Sequence, residues 1–366
     1  MTRECERVGG INLGQGICDL PTPPLVAEGA IEAIRERKST YSYPEGTLEL
    51  RQQIAKKLER ANGLVADPAR EIVVTVGATG AFCAAVHALL DPGDGILLFE
   101  PYYGYHLNAA IVAGLEPQYL TLAPPAFALD EASLRSAIRP NTRAVVVCTP
   151  SNPSGKMFSE EELRVIERVA TEHDLLVVTD EIYEDIRYDD RPHISPASVG
   201  SLGERTVTIL GLSKTFSITG WRLGYAVAKP ELTEAIALVN DLFYVCAPTP
   251  LQHGVAAGFD APASFFTDLA ADYSQKRARV CDALDAAGLA PIRPEGAYYV
   301  LADVSCLGLG SAREAAMALL SETGVASVPG SAFYRGATGE GLLRFCYAKE
   351  DDVLAEACKR LEGFRG

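Results

Sequence analysis

The chain has 366 residues, 48% hydrophobic and 22% charged, with 33 basic against 48 acidic side chains and a formal net charge of −15. That length suits about two domains. A field of that sign repels phosphate backbones and anionic lipid, so neither a nucleic-acid partner nor a membrane partner is expected. No apolar run reaches the ~18 residues of a membrane span, and MTRECERVGG lacks the apolar segment of a secretory signal. Nine scattered cysteines form no CxxC pair, which offers neither a disulfide framework nor a metal site. A reduced, cytoplasmic protein is expected.

From about residue 70, short β-branched apolar runs alternate with helical periodicity. EIVVTVG (71–77) reads as a buried strand, and TGAFCAAVHALL as a helix stopped by the turn DPGD. GILLFE (95–100) is the next strand, followed by a helical stretch from about His106 to Val112. RAVVVCT (143–149) is a further strand. SEEELRVIERVATEHD then opens with a Ser cap and an acidic first turn, the marks of a helix start. LLVVTDE (175–181), TVTILGL (206–212) and LGYAVA (223–228) complete the strand set, and residues 189–205 read as a surface loop. Continuous apolar strands separated by helices predict an α/β fold with a mostly parallel, doubly wound sheet covered on both faces.

A helix is expected from about Ala263 to Ala287. Beyond it the texture changes to α+β: RPEGAYYVLADV, a helix near 311–323, GVASVPG and LLRFCYA. The Gly/Pro-rich segment INLGQGICDLPTPP is expected to pack with that part. The predicted division is a large domain over residues 26–272 and a smaller α+β domain from residues 1–25 and 273–366.

In an open parallel sheet, ligands bind beyond the carboxyl ends of the strands. There Gly77, Ala78 and Thr79 open a helix and offer N–H groups and a hydroxyl to an anion. The loop TPSNPSG carries Asn152; taken alone it reads as an Asx turn. Asp180 ends an apolar run, where an unpaired carboxylate is costly, so it should meet a cation or several donors. Either Asp180 or the following Glu181 could instead cap a helix. Lys214 follows another buried strand, either snorkelling to solvent or as a desolvated amine suited to a Schiff base. Eight residues on, Arg222 sits in an apolar and aromatic stretch, where arginine calls for an anion. A lysine, an arginine, an aspartate and a phosphate-suited helix start together ask for a ligand with a carbonyl, a phosphate and a basic ring nitrogen. Pyridoxal 5′-phosphate has all three.

The chain resembles the class I/II, fold-type I pyridoxal-phosphate-dependent aminotransferases over essentially its whole length. It is most similar to the kynurenine/glutamine/methionine and aspartate/aromatic branch. The resemblance rests on INLGQGICDLPTPP, TYSYPEGTLELR, VTVGATGA, DPGDGILLFEPYYGYH, TPSNPSG, TDEIYED, LSKTFSITGWRLGY, PEGAYYV, VPGSAF and LLRFCYA, in that order. It implies that Lys214 binds the cofactor covalently and then moves the proton between substrate and cofactor carbons. Asp180 would pair with the pyridine nitrogen, Tyr183 and Asn152 with the ring oxygen, and Tyr103 would stack on the ring. Gly77, Ala78, Thr79, Ser213 and Arg222 would hold the phosphate, with Tyr41 reaching in from a partner, which requires a homodimer with shared active sites. Arg344 would grip the substrate α-carboxylate as a fork, and Gly16 would let backbone approach it.

The chain departs from the family pattern in three places. Gly211 stands where relatives often carry a Ser that contacts the phosphate, and Cys18 stands where the GxPDF segment has proline. Only ten residues precede INLG, little of the arm that relatives drape over their partner, which points to a weaker dimer or a longer gene product. Thr79 stands where one aspartate-specific branch carries a lysine. With Tyr102, Tyr103, Tyr105 and Ile17 nearby, a neutral or aromatic amino donor and a 2-oxo acid acceptor such as 2-oxoglutarate are expected, exchanging the amino group by a ping-pong mechanism. Two other readings share the cofactor: a C–S β-lyase, which would release pyruvate and thiol from cystathionine, and a non-catalytic pyridoxal-phosphate sensor, which would need an attached basic DNA-binding segment.

Overall fold

The computed structural model describes residues 1–365. Seven strands form the main sheet: β1 (Ile72–Val76), β2 (Gly95–Glu100), β3 (Glu116–Thr121), β4 (Thr142–Cys148), β5 (Leu176–Asp180), β6 (Thr206–Gly211) and β7 (Leu223–Val227). They lie in the order β1-β7-β6-β5-β4-β2-β3. β7 runs antiparallel to both its neighbours, and the other neighbouring pairs are parallel. All six strands read from the sequence are present. β3 was not foreseen because its sequence, EPQYLT, lies at the sheet edge and is only partly buried, so it lacks the continuous apolar run of the inner strands.

Alternation along the strands sends side chains to two separate cores. Leu97, Phe99, Val145, Val147 and Val177 pack on one face with Leu163, Ile166 and Val169 of helix α2 (Glu160–Glu172). Ile96, Leu98, Val146, Val178 and Ile209 pack on the other with Ala81, Phe82 and Ala85 of helix α1 (Gly77–Leu89). Helix α2 begins as expected. Ser159 Oγ accepts from the Glu162 N–H at 3.2 Å and Glu162 Oε2 accepts from the Ser159 N–H at 2.9 Å, a capping box that contributes about 1 kcal/mol.

A single helix, α3 (Ala263–Ala286), leads out of this layer, and the predicted domain division at 272/273 falls within it. Beyond it, a four-stranded antiparallel sheet is built from β8 (Ala290–Ile292), β9 (Tyr299–Asp303), β10 (Val328–Pro329) and β11 (Leu342–Cys346), in the order β10-β11-β9-β8. Helices α4 (Ala312–Thr323) and α5 (Asp351–Glu362) cover it around a core that includes Leu319, Phe345, Leu354 and Leu361. Residues 324–330 do not form one strand. Val325–Ala326 pairs in parallel with Ile11–Asn12, and Val328–Pro329 joins β11 instead. The first of these pairings sets Ile11–Asn12 of the Gly/Pro-rich N-terminal segment beside Val325–Ala326. Among the described residues, no helix is long and apolar enough to cross a membrane.

Candidate active site

The carboxyl ends of β1, β2, β4, β5 and β6 share one edge of the sheet, and the antiparallel β7 begins there. Side chains just past the ends of parallel strands therefore meet Arg222, the residue immediately before β7. They line a cavity of about 450 Å³, which includes Gly16, Ala78, Thr79, Tyr103, Asn152, Asp180, Tyr183, Ser213, Lys214, Arg222 and Arg344. Two predicted residues are not on its wall. Gly77 lies one layer behind, at φ +72°, and a Cβ there would stand 2.4 Å from Arg222 Nη2. Only glycine lets the helix start and the guanidinium approach so closely. Tyr41 is 81% exposed and does not reach the cavity of its own chain.

Lys214 does not snorkel. Its Nζ is enclosed, donates to the Gly16 carbonyl at 3.3 Å, and lies 5.4 Å from the Tyr298 ring centroid and 5.9 Å from that of Tyr183. Burial holds the amine below the ordinary lysine range, and Arg222 pushes the same way. The Cys346 and Cys18 thiols and Asp180 oppose this without cancelling it. Arg222 adopts a left-handed conformation (φ +57°), and its Nη1 donates to the Thr219 carbonyl at 2.8 Å. Arg344 Nη1 donates to Asn152 Oδ1 and Nη2 to the Gly14 carbonyl, both at 2.7 Å, while its buried Nε has no partner. Among the described residues, none of these three cations is ion-paired to a carboxylate. Within a chain of net charge −15, three unpaired cations in one cavity select for an anionic ligand.

Asp180, at the end of β5, caps no helix. Its Oδ2 lies 2.9 Å from His106 Nε2 and its Oδ1 accepts from the Ile182 N–H at 3.3 Å. Glu181 points away from the cavity into a polar pocket, where Thr179 and Ser195 donate to Oε1 at 2.6 and 3.1 Å and His193 lies 2.7 Å from Oε2. The loop 189–205 supplies two of those partners. Tyr183 Oη sits 3.1 Å from Tyr299 Oη, and burial holds the Tyr183 phenol far above its usual range.

Four residues that sequence reading gave no role, Phe82, His106, Ile182 and Tyr299, complete the wall. His106 stacks on Phe82 with ring centroids 4.5 Å apart and meets Tyr103 edge-on at 5.1 Å. The signal for His106 was present: it stands three residues after Tyr103 where a helix begins, which puts the two on one face. Tyr299 lines the cavity from β9, and no short-range signal marks it. The two substituted positions also have structural explanations. A Cβ at Gly211 would stand 2.6 Å from the Ile182 side chain, so Ile182 occupies the space that a larger residue would use. Cys18 is buried, with its Sγ 3.3 Å from Ser217 Oγ and 3.4 Å from Tyr273 Oη.

The main sheet, the smaller antiparallel sheet and a buried lysine at their shared cavity define a fold-type I, pyridoxal-phosphate-dependent transferase. The chain belongs to the aminotransferase class I and II family, whose profile it matches over residues 8–361. The solved structure of N-succinyldiaminopimelate aminotransferase from Mycobacterium tuberculosis is 36% identical, covering 99% of this chain and 95% of that one, with a TM-score of 0.96. The solved structure of YbdL from Escherichia coli, described as having a methionine aminotransferase function, is 30% identical over 99% of this chain and 96% of that one, with a TM-score of 0.95. Aspartate aminotransferase from Pyrococcus abyssi is 36% identical over 355 residues, 96% of this chain and 90% of the relative. The protein is thus a transaminase that uses pyridoxal phosphate. The cavity fits that cofactor: a desolvated, unpaired amine for its carbonyl, a buried carboxylate for its ring nitrogen, and an unpaired guanidinium beside a helix start for its phosphate.

Proposed function

We propose that the chain moves the amino group of a neutral or aromatic L-amino acid to a 2-oxo acid, in two half-reactions that share one site. Pyridoxal phosphate, when bound, supplies the carbonyl that takes the amino group and a ring that accepts the electron pair released at the substrate Cα. Lys214 Nζ would hold the cofactor and, as a free amine, would take the proton from the substrate Cα and deliver it to the cofactor carbon that bore the carbonyl. Asp180 keeps the ring nitrogen protonated, and Tyr183 with Asn152 holds the ring oxygen. Arg222, Ser213 and the first turn of α1 at Gly77, Ala78 and Thr79 bind the phosphate. Tyr103 covers the ring face. Arg344 takes the substrate carboxylate with the N–H groups that Asn152 and Gly14 leave free, and Gly16 lies beside it.

The observation that carries the substrate class is the distribution of charge. The cavity offers two guanidiniums, one for a phosphate and one for an α-carboxylate, and among the described residues of the chain no lysine or arginine besides Lys214 joins them. The rest of the wall includes Ile17, Tyr105 and Phe82. Within the chain's own part of the wall a side-chain carboxylate would meet no further lysine or arginine, whereas an apolar or aromatic side chain would find matching surface.

A second copy of the chain is proposed to complete the site. Tyr41 and Tyr43 are mostly exposed in the single chain, as are Leu238 and Leu242 on one helix, and apolar surface of this kind marks an interface. Nine unpaired cysteines support a reducing compartment such as the cytoplasm. The test is an absorbance spectrum of the protein loaded with pyridoxal phosphate, recorded as amino acids and then 2-oxo acids are added singly. Methionine, phenylalanine or another neutral donor should bleach the lysine-bound band, and an oxo acid should restore it. Bleaching by aspartate and glutamate alone would refute the substrate class.

A further inference from the structure

We infer that Tyr299 is a positioning residue that joins the carboxylate grip to the cofactor-side phenol: its ring seats Arg344 and its hydroxyl fixes Tyr183. This rests on the proposed function only through the roles given there to Arg344 and Tyr183.

Strand geometry brings the groups together. In the antiparallel pair β9–β11, Tyr299 lies opposite Cys346 and Leu301 opposite Arg344, so Tyr299 and Arg344 are diagonal neighbours on one face. Diagonal pairs are within reach of each other when both side chains are long. Arg344 Cζ stands 4.3 Å from the Tyr299 ring centroid and 4.8 Å from that of Phe333, so the guanidinium lies over two aromatic rings. The two hydrogen bonds to Asn152 and Gly14 set its rotation, and the rings set its plane. At the other end of the same side chain, Tyr299 Oη is 3.1 Å from Tyr183 Oη, with both residues buried.

Gly16 shows how tightly the hydroxyl is placed. A Cβ at that position would stand 1.9 Å from Tyr299 Oη. The glycine is therefore required by Tyr299, in addition to any approach of substrate. Tyr298, next in the chain, donates from its hydroxyl to the Gly16 carbonyl at 3.1 Å, the same oxygen that takes Lys214 Nζ. One peptide of the N-terminal segment is thus held by Tyr298 and Lys214 and abutted by Tyr299.

If the Tyr183 hydroxyl donates its hydrogen bond to the ring oxygen of a bound cofactor, Tyr299 would be the donor to Tyr183. A phenol that accepts one hydrogen bond donates a stronger one. The titratable groups facing Tyr299 are Tyr183, Tyr298, Tyr103, Arg344 and Cys346, and those facing Lys214 add Cys18, Arg222 and Asp180. Tyr299→Phe leaves every one of these in place, so its effect reports the hydroxyl alone.

The experiment is a pH titration of the lysine-bound cofactor band, with steady-state kinetics, in wild type, Tyr299→Phe and Tyr299→Leu. Tyr299→Phe should move the spectral midpoint upward by about 0.5 unit, the part of one hydrogen bond that passes through Tyr183, and leave the amino-donor KM near wild type. Tyr299→Leu should show the same spectral shift and raise the amino-donor KM about tenfold, because the guanidinium loses one of its two rings. An unmoved midpoint in Tyr299→Phe overturns the inference, as does a Tyr299→Leu protein with native circular dichroism and an unchanged KM. If Tyr299→Leu does not fold, Tyr299→Phe still decides it. A wild-type protein that shows no pH-dependent band would refute the proposed function instead.

Discussion

His106 Nε2 lies 2.9 Å from Asp180 Oδ2, and both side chains are buried. The contact explains how a carboxylate can end an apolar strand without a lysine or arginine beside it. The imidazole meets one oxygen, the Ile182 N–H meets the other, and the remaining acceptor capacity faces the cavity. The rings of Phe82 and Tyr103 hold the imidazole in place. Removing a hydrogen bond to a charged group costs roughly 1.5–3 kcal/mol, which corresponds to about 10–100-fold in rate if it is lost at the transition state. His106→Ala should lower kcat within that range while the cofactor still binds. Asp180→Asn should lose most of the rate with the cofactor retained. A His106→Ala enzyme with wild-type kcat and cofactor affinity would show that the imidazole serves packing alone.

Behind the site, Lys57 is ion-paired to Glu184 with both groups buried, and Asn62 Nδ2 donates to the other Glu184 oxygen at 2.7 Å. Burial and the Glu184 charge hold the neighbouring Asp185 above the usual carboxylate range, where it accepts from Thr215 at 2.7 Å. Breaking a buried pair from one side leaves a bare charge and costs about 3–5 kcal/mol. Lys57→Met should therefore lower the urea midpoint substantially, and adding Glu184→Gln should recover part of the loss. Additive losses in the double variant would mean that the pair is not coupled.

The parts of this architecture that the sequence made legible are those set by local physics. β-Branched runs marked the inner strands because both faces of a parallel sheet are buried, and Ser159 with Glu162 marked a helix start because the cap is local. Lys214, Asp180 and Arg222 stood out because charge inside apolar sequence requires compensation. The edge strand at Glu116–Thr121 was hidden by its half-exposed, mixed composition. Tyr299 and Phe333 were hidden because their roles depend on which residue lies across a strand pair or beyond a loop, and one sequence does not carry that register. The direction of Glu181 was hidden as well: two adjacent carboxylates look alike until the loop 189–205 supplies His193 and Ser195 to one of them.

Arg344 is held by Asn152, Gly14 and two aromatic rings before any substrate arrives, so its geometry is fixed in advance. A lysine at this position would keep the charge and lose the planar fork and the stacking. Arg344→Lys should raise the amino-donor KM on the order of 10–100-fold, the worth of one charge-assisted hydrogen bond, with the cofactor band intact. The 2-oxo acid acceptor presents the same carboxylate and should suffer equally. A variant that loses the band instead would place Arg344 in cofactor binding.

Lys214 gives a pH dependence with a definite sign. Its amine is held below the ordinary lysine value of about 10.4 chiefly by burial. Between the lowered folded value and the ordinary one, the unfolded chain binds more protons than the folded apoprotein, so stability rises with pH across that window. The contribution is complete above the ordinary value and is lost as pH falls through the lowered one. Loading follows the same group, since only the neutral amine condenses with a carbonyl. The rate of band formation with pyridoxal phosphate should thus rise with pH and level off below the range of an exposed lysine. Lys214→Met should remove the band and all turnover, raise the Tm of the apoprotein near neutral pH, and flatten its alkaline rise. Retained turnover in Lys214→Met would refute the assignment of the site. An unchanged Tm profile would mean that water reaches the amine in the apoprotein.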